Sequence, residues 1–407
     1  MKIVVGVLYT LLPEIILLVI AASLAYYAAY FPDAGITATE LVALFILIAA
    51  LALSMQFNRS RMFFALLALL IGYAALSERT ATGDALNRQI LAGSLCLFLP
   101  FDLVCMQPLA ERGVFTRYGA WPFVLLLLEI LFVILLMVTH AHGVTDALFV
   151  QFVKWPWLSA TSISQPGLLL LAIGLLWLND RLILRHSAEL AAFFFSLIAV
   201  AVMLHSRQPA TVAVFAGAAA VAFGIAIIQE SWSMAYLDEL TGLPGRRALE
   251  EQMRRLGGRY VIAMLDVDHF KHFNDTYGHD VGDQVLRLVA SRLQKYAGGG
   301  KAFRYGGEEF SLLYAGKTLE DAAPVLETLR IEIETSGFNP RRGERRSGSE
   351  AQEGCQDDDA PLRVTVSIGA AESGTARKDP WSVLKSADRA LYDAKHAGRN
   401  RVRLSGV

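Results

Sequence analysis

The sequence predicts an α-helical polytopic membrane domain followed by an α/β domain with a mixed sheet, and three observations carry that reading. The composition is too apolar for an ordinary soluble chain, with 54% hydrophobic and 18% charged residues over 407 positions. The excess is uneven: apolar runs succeed one another from Ile3 to about Gln229, and mixed, charged sequence begins at Glu230. Beyond that point short apolar runs alternate with helical patterns. Residues 1–230 therefore read as a multi-span domain and residues 231–407 as a globular one.

The first domain divides best into eight candidate spans, with seven or six as the alternatives: Ile3–Tyr30, Leu41–Phe57, Met62–Leu76, Ile90–Met106, Trp121–Val138, Pro166–Leu178, Leu190–Leu204 and Thr211–Ile228. Each is near the roughly 20 residues that cross a bilayer, or a little short of it. An even number of spans puts both termini on one side. Lys2, Arg59, Arg61, Arg112, Arg117, Arg181 and Arg185 fall on that side, against Arg79, Arg88, Lys154 and Arg207 on the other. The positive-inside bias makes that side the cytoplasm. The opening run has the basic residue and small residues of a signal peptide, but its apolar core is too long, so an uncleaved first helix is expected. Glu14, Asp102 and Glu129 lie inside apolar spans, where a carboxyl group is either functional or a hydrogen-bonded packing group. Packing is the simpler of the two.

A net charge of −1 provides no basic field for nucleic acid. Cys96 and Cys105 share one apolar run and Cys355 sits in a polar segment, a pattern with neither metal spacing nor a disulfide framework. That suits a reducing cytoplasm.

The second domain begins with a helix that has no Pro or Gly between Ile225 and Thr241, so the last span is expected to continue into it. Tyr260–Leu265 is a short apolar run bounded by Gly and Asp, the pattern of a buried strand, and it leads into Asp266 and Asp268. A loop follows, then a helix with Val281, Val285, Val289 and Leu293 on one face and Asp280 as its N-cap. KAFRY and FSLLYAG form a hairpin with Gly306-Gly307-Glu308-Glu309 at its tip. A helix over Leu319–Glu334, a strand over Leu362–Ala370, a helix opened by Pro380 and a strand over Val402–Leu404 complete the domain. Asn339–Ala360 is polar and aperiodic and reads as a disordered surface loop.

The chemistry lies in two acidic pairs, Asp266/Asp268 and Glu308/Glu309, which meet if their strands are neighbours. Carboxylate oxygens without His or Cys suit Mg²⁺ or Mn²⁺, and few protein ligands leave coordination for substrate phosphates. Glycines beside them permit a positive φ and a close ligand. Lys271 and the pair Lys395/Arg399, one helical turn apart, offer positive charge. A nucleoside triphosphate is the ligand these features suit.

Five blocks carry a family resemblance: DELTGLPGRR (Asp238–Arg247), DVDHFKHFNDTYGHDVGD (Asp266–Asp283), RYGGEEF (Arg304–Phe310), VSIGAA (Val366–Ala371) and SADRALYDAKHAGRN (Ser386–Asn400). From about Tyr236 to Arg403 the chain resembles the GGDEF domain of bacterial diguanylate cyclases, a nucleotidyl-cyclase-like fold. The first 230 residues resemble no module we can name. The resemblance implies condensation of two GTP into cyclic di-GMP with release of pyrophosphate, in a homodimer with one GTP per subunit. It implies Mg²⁺ held by Asp266, the Val267 carbonyl and Glu308, with Glu309 assisting, and Glu308 also as general base. Asn274 and Asp283 would read the guanine, Lys271 would stabilise the transferring phosphoryl group, and Lys395 and Arg399 would hold the terminal phosphates. The chain would sit in a bacterial inner membrane with both termini in the cytoplasm.

Without those blocks, Lys395 and Arg399 are cations at a helix C-terminus, Asn274 and Asp275 are turn formers, and Asp283 is an acid at a helix N-terminus. Asp388 and Arg304 read as structural even within them. Two departures stand out. Gly245 occupies the family's usual asparagine position, and both residues tolerate left-handed backbone. Many members carry an inhibitory Arg-x-x-Asp product site where this chain has Ala297-Gly298-Gly299-Gly300, so that site is expected to be absent and the glycine run flexible. Two other functions remain open: a catalytically silent GTP-binding receptor, and a transporter or lipid-binding membrane protein with a regulatory domain. The stimulus of the membrane domain is not legible.

Overall fold

The structure is a computed structural model that describes residues 2–28, 30, 33–81, 85–139, 142–154, 163–337, 362–374 and 379–405. The loop expected over Asn339–Ala360 lies outside the described residues. The chain forms two compact units, Met1–Ser231 and Trp232–Val407.

The first unit is helical: α1 (Lys2–Ala28), α2 (Asp33–Gln56), α3 (Ser60–Ala81), α4 (Ala85–Met106), α5 (Ala120–Thr139), α6 (His142–Leu148), α7 (Gln165–Arg185), α8 (Ala188–His205) and α9 (Pro209–Tyr236). Among the described residues eight helices, all of these except α6, are long and apolar enough to cross a membrane. The eight apolar runs of the sequence are these helices. Ala-rich α9 lies at the centre, with Ala213, Ala216, Ala219, Ala220 and Phe223 fully buried against neighbours such as Phe193 of α8. Small residues let helix backbones approach where there is no large side chain to separate them. The outer helices instead expose large apolar side chains, including Phe45 of α2 and Trp121 and Val138 of α5.

One end of this unit is knitted by charge. Arg61 pairs with Glu111 at 2.9 Å and Glu189 at 3.1 Å, the Ser60 hydroxyl donates to Glu111 at 2.7 Å, and Arg59 lies 3.7 Å from Glu230 near the end of α9.

The second unit contains α10 (Arg246–Arg254), α11 (Phe270–Tyr277), α12 (His279–Tyr296), α13 (Leu319–Thr335) and α14 (Pro380–His396), with β1 (Tyr260–Val267), β2 (Lys301–Arg304), β3 (Glu309–Ala315), β4 (Val366–Glu372) and β5 (Val402–Leu404). Among the described residues the strands form one sheet in the order β2-β3-β1-β4-β5, antiparallel except for the parallel β4–β5 pair. Alternation along β1 decides what each face buries. Val261, Ala263, Leu265 and Val267 pack with Val285, Val289 and Leu293 of α12 and Leu326, Leu329 and Ile333 of α13. Tyr260, Ile262 and Met264 face the other way, against Leu249 and Met253 of α10 and Val383, Ala387 and Leu391 of α14. The result is a mixed sheet between two helical layers.

Several boundaries differ from the sequence reading. The last span continues into the second domain as expected and stops at Tyr236, because Asp238 turns the chain by accepting from the Thr241 backbone N–H at 2.9 Å and its hydroxyl at 2.6 Å. The segment after β1 is not a loop but holds α11, whose Phe270, Phe273 and Tyr277 recur at helical spacing. Gly278, at φ +86°, is the N-cap of α12, and Asp280 sits in the first turn, where it complements the helix dipole instead of capping it. The strand expected over Leu362–Ala370 is regular only from Val366 to Glu372. Thr318 and Asp321 form a reciprocal capping box at the start of α13.

Candidate active site

The site grows from the end of β1. Asp266 has the parity of Ile262 and Met264, so it faces α14, and its register partner on β3 is Glu309. The two acidic pairs therefore meet, as their strands are neighbours: Val267 also donates its backbone N–H to the Glu308 carbonyl at 3.3 Å. α14 comes unusually close because Gly369 of β4 lacks a side chain. A Cβ there would stand 2.0 Å from the Leu391 backbone nitrogen and 2.3 Å from the Ala387 carbonyl oxygen. That approach brings Lys395, in the last turn of α14, within 2.8 Å of the buried Asp266 carboxylate.

The electrostatics are those of carboxylates crowded at one point. Burial pushes the Asp266, Glu308 and Glu309 carboxyls above their ordinary values, and the repulsion of Asp266 adds to the shift of both glutamates. Lys395 opposes all three, and Arg399 acts on Asp266. No group of three or more His, Cys, Asp or Glu side chains is arranged to hold a metal among the described residues. Two carboxylates and a carbonyl at a site of surplus negative charge nonetheless fit a hard divalent ion that keeps part of its coordination for a ligand.

Asp268 has a different task from its neighbour two residues back. It is buried and accepts from the hydroxyls of Thr365 at 2.7 Å and Ser367 at 2.6 Å and from the Asn400 backbone N–H at 3.0 Å. It fastens β1 to β4 and to the segment after α14.

That segment corrects the expectation that Lys395 and Arg399 lie one turn apart on a helix. α14 ends at His396, and Gly398, Arg399 and Asn400 have φ values of +108°, +60° and +45°. The left-handed turn is what lets Asn400 reach Asp268, while its side-chain carbonyl accepts from Arg330 at 2.7 Å.

The glycines of the hairpin tip act by size and not by a left-handed backbone: neither Gly306 nor Gly307 has a positive φ. A Cβ at Gly307 would meet nothing within 4 Å, which leaves open space beside the carboxylates. Gly245 likewise is not left-handed, with φ −84°, and it is Gly242, at +68°, that bears the turn.

Arg304, read from the sequence as an ordinary strand residue, organises the tip. Its guanidinium donates to both carboxylate oxygens of Asp238, at 2.8 and 2.9 Å, and to the Gly307 carbonyl at 2.7 Å. Burial alone would raise the Asp238 carboxyl, but hydrogen bonds from Thr241 and Arg304 outweigh it and hold the group below its ordinary value. An arginine two residues before the paired glycines, with an Asp-x-x-Thr turn upstream, was the available signal.

Asn274 of α11 and Asp283 of α12 lie on consecutive helices. The Asn274 side-chain oxygen is buried without a hydrogen-bond partner, and a Cβ at Gly282 would lie 1.9 Å from it, so Gly282 makes room for that amide. A buried acceptor without a protein partner is a place that a polar ligand group fits. Lys271 is exposed in the first turn of α11, with no hydrogen bond or ion pair among the described residues. The structure does not bring it onto the carboxylates. At Gly298–Gly300 the glycines have a packing reason: a Cβ at Gly298 would stand 2.7 Å from Val325 and one at Gly300 2.5 Å from the Tyr314 ring.

Residues 235–401 match the family model described as diguanylate cyclase, GGDEF domain. The chain is 40% identical over 174 residues to diguanylate cyclase VdcA of Vibrio cholerae, covering 41% of this chain and 46% of that protein. It is 37% identical over 186 residues to response regulator PleD of Caulobacter vibrioides, covering 43% and 37%. The chain thus spans less than half the length of these curated relatives. Among solved structures it is similar to the coiled coil and GGDEF domain of DgcB from Caulobacter crescentus in complex with c-di-GMP, with 35% identity, 44% of this chain and 89% of that chain covered, and a TM-score of 0.37. Residues 235–401 of this chain are thus a GGDEF domain, with diguanylate cyclases among its relatives.

Proposed function

We propose that the chain is a membrane-bound diguanylate cyclase that condenses two GTP into cyclic di-GMP and two pyrophosphates, under the control of its helical half. The observation that carries the reading is the convergence of Asp266, Glu308 and Glu309 at one sheet end, opposed by Lys395 and beside the open space at Gly307. A silent receptor would not need to keep this carboxylate set intact.

Asp266, the Val267 carbonyl and Glu308 are the residues that would hold Mg²⁺ or Mn²⁺, with Glu309 at their side. Bound there, the ion neutralises and polarises the triphosphate. Asn274 and Asp283 read the guanine: the carboxylate accepts from N1–H and N2–H, and the amide that now has an orphaned oxygen turns to donate to the ring acceptors. Lys395 exchanges Asp266 for the terminal phosphates, joined by Arg399, while Lys271 meets the phosphoryl group from the solvent side. In each condensation the 3′-hydroxyl oxygen of one GTP forms a bond to the α-phosphorus of the other. The bond to the bridging oxygen breaks and pyrophosphate leaves. Glu308, whose carboxyl burial holds above its ordinary value, takes the hydroxyl proton. One domain holds one GTP, so a homodimer brings two together.

The eight apolar helices, with large apolar side chains on the outer faces of α2 and α5, fit a lipid bilayer, and the basic loops favour cytoplasmic termini. An alkaline phosphatase fused after Val407 should be inactive in cells. Cyclic di-GMP formed by the wild-type protein and not by Glu308→Gln supports the catalytic reading; GTP binding without product in the wild type would favour the silent receptor.

A further inference from the structure

The helical unit contains a cavity of about 350 Å³ at the end of α9 remote from Ser231. Glu40 of α2, Leu76 of α3, Arg88 of α4, Arg207 between α8 and α9, and Pro209 and Val212 of α9 line it. Neither Arg88 nor Arg207 makes a hydrogen bond or ion pair among the described residues, and Glu40 forms no ion pair with either. At the opposite end of the same unit the rule is different: Arg61 has two carboxylate partners and Arg59 has Glu230. Among the described residues the charges of this cavity are unmatched.

We propose that this cavity binds a small amino or hydroxy acid, with its carboxylate between Arg88 and Arg207, its ammonium or hydroxyl group on Glu40, and a short apolar body against Leu76, Pro209 and Val212. Two guanidinium groups lining one cavity can share an anion, and their planar forks match a carboxylate. Glu40 adds an acceptor that a simple anion would repel and that an amino or hydroxy group satisfies. The apolar wall has no use for an inorganic ion, and the volume lies at the small end of ligand cavities. A purely apolar guest would make no use of the three charged groups.

Two contacts tie the other end of α9: Glu230 lies 3.7 Å from Arg59 and accepts from the Ser187 hydroxyl at 3.0 Å. Val212 and Ser231 are roughly 28 Å apart along a helix rising ~1.5 Å per residue. A ligand that draws Pro209 and Val212 toward α2 and α4 therefore acts on the helix that leads out of the unit. Binding stands independently of the cyclase reading; its effect on turnover rests on that reading.

The test is isothermal titration of the full-length protein in lipid nanodiscs with a panel of L-amino acids and short 2-hydroxy acids. At least one probe should bind saturably, and Arg88→Gln or Arg207→Gln should weaken it at least about tenfold, as should esterification of the probe's carboxylate. Both arginines are exposed, so the variants should keep the wild-type melting profile and ligand-free GTP turnover. No binding by any probe, equal binding by acetate or inorganic phosphate, or affinity indifferent to both substitutions would overturn the site. Because titration needs no GTP, a failed cyclase leaves the binding result intact. A bound probe that leaves turnover unchanged would overturn the regulatory part.

Discussion

Replacing Arg304 with alanine removes three charge-assisted hydrogen bonds at once, two to Asp238 and one to the Gly307 carbonyl. Charge-assisted bonds contribute about 1.5–3 kcal/mol each when shielded from water. The side chains of Arg304 and Asp238 are 14% and 23% exposed, so solvent screens part of that, and the loss should total about 2–3 kcal/mol. For a domain of this size that corresponds to a fall of roughly 4–12 °C in Tm. Calorimetry of the full chain in detergent, following the transition that GTP shifts, reads the first effect. The second is on rate: the Gly307 anchor sets the position of Glu308, and displacement of a reacting group by about 1 Å costs up to 100-fold in turnover. Arg304→Lys should fall between wild type and alanine, since it keeps the charge and loses the fork. A Tm within about 1 °C and a turnover within about twofold of wild type in Arg304→Ala would refute the claim that this residue organises the tip.

Asp266→Asn and Glu308→Gln should each abolish cyclic di-GMP formation, yet in the presence of a chelator Glu308→Gln should melt no lower than wild type, because it relieves repulsion from Asp266 and Glu309; a folded, fully active variant would refute the metal assignment. The Asp266, Glu308 and Glu309 carboxyls are raised in the folded chain, so their contribution to stability is present below the ordinary carboxyl range and lost as pH rises through the raised values. Added Mg²⁺ should therefore raise Tm more at pH about 7.5 than at about 5, and a pH-independent increment would argue against these groups as ligands. Gly369→Ala should destabilise by about 1–3 kcal/mol and lower turnover, because its Cβ would push α14, and with it Lys395, off the sheet; unchanged melting and rate would show that the close approach is unimportant. Initial rates should fall only weakly with added cyclic di-GMP, since residues 297–300 offer no positioned arginine–carboxylate pair; potent non-competitive inhibition would overturn that reading.

Much of this was legible because the relevant patterns are local. The eight apolar runs, the hairpin around RYGGEEF and the strand leading into Asp266 need only periodicity and composition to be seen. The meeting of Asp266 with Glu309 followed conditionally, since it required β1 and β3 to be neighbours. What the sequence concealed depends on long-range contact. Arg304 looked ordinary because its partner Asp238 lies 66 residues away. Asp268 looked like a twin of Asp266, but its oxygens are taken by Thr365, Ser367 and Asn400. The Lys395–Arg399 spacing suggested a helix face, and Gly398 ended the helix between them. Gly369 and Gly282 are ordinary glycines until the neighbouring Leu391 backbone and Asn274 amide are in place.

The central claim is that this carboxylate–lysine site joins two GTP molecules, and its most direct test is product stoichiometry. Full-length protein in detergent, supplied with Mg²⁺ and GTP labelled separately at the guanine and the β-phosphate, should yield one cyclic di-GMP and two pyrophosphates for every two GTP consumed. GTP that stays intact, or that is lost as GDP and phosphate without cyclic di-GMP, would contradict the account.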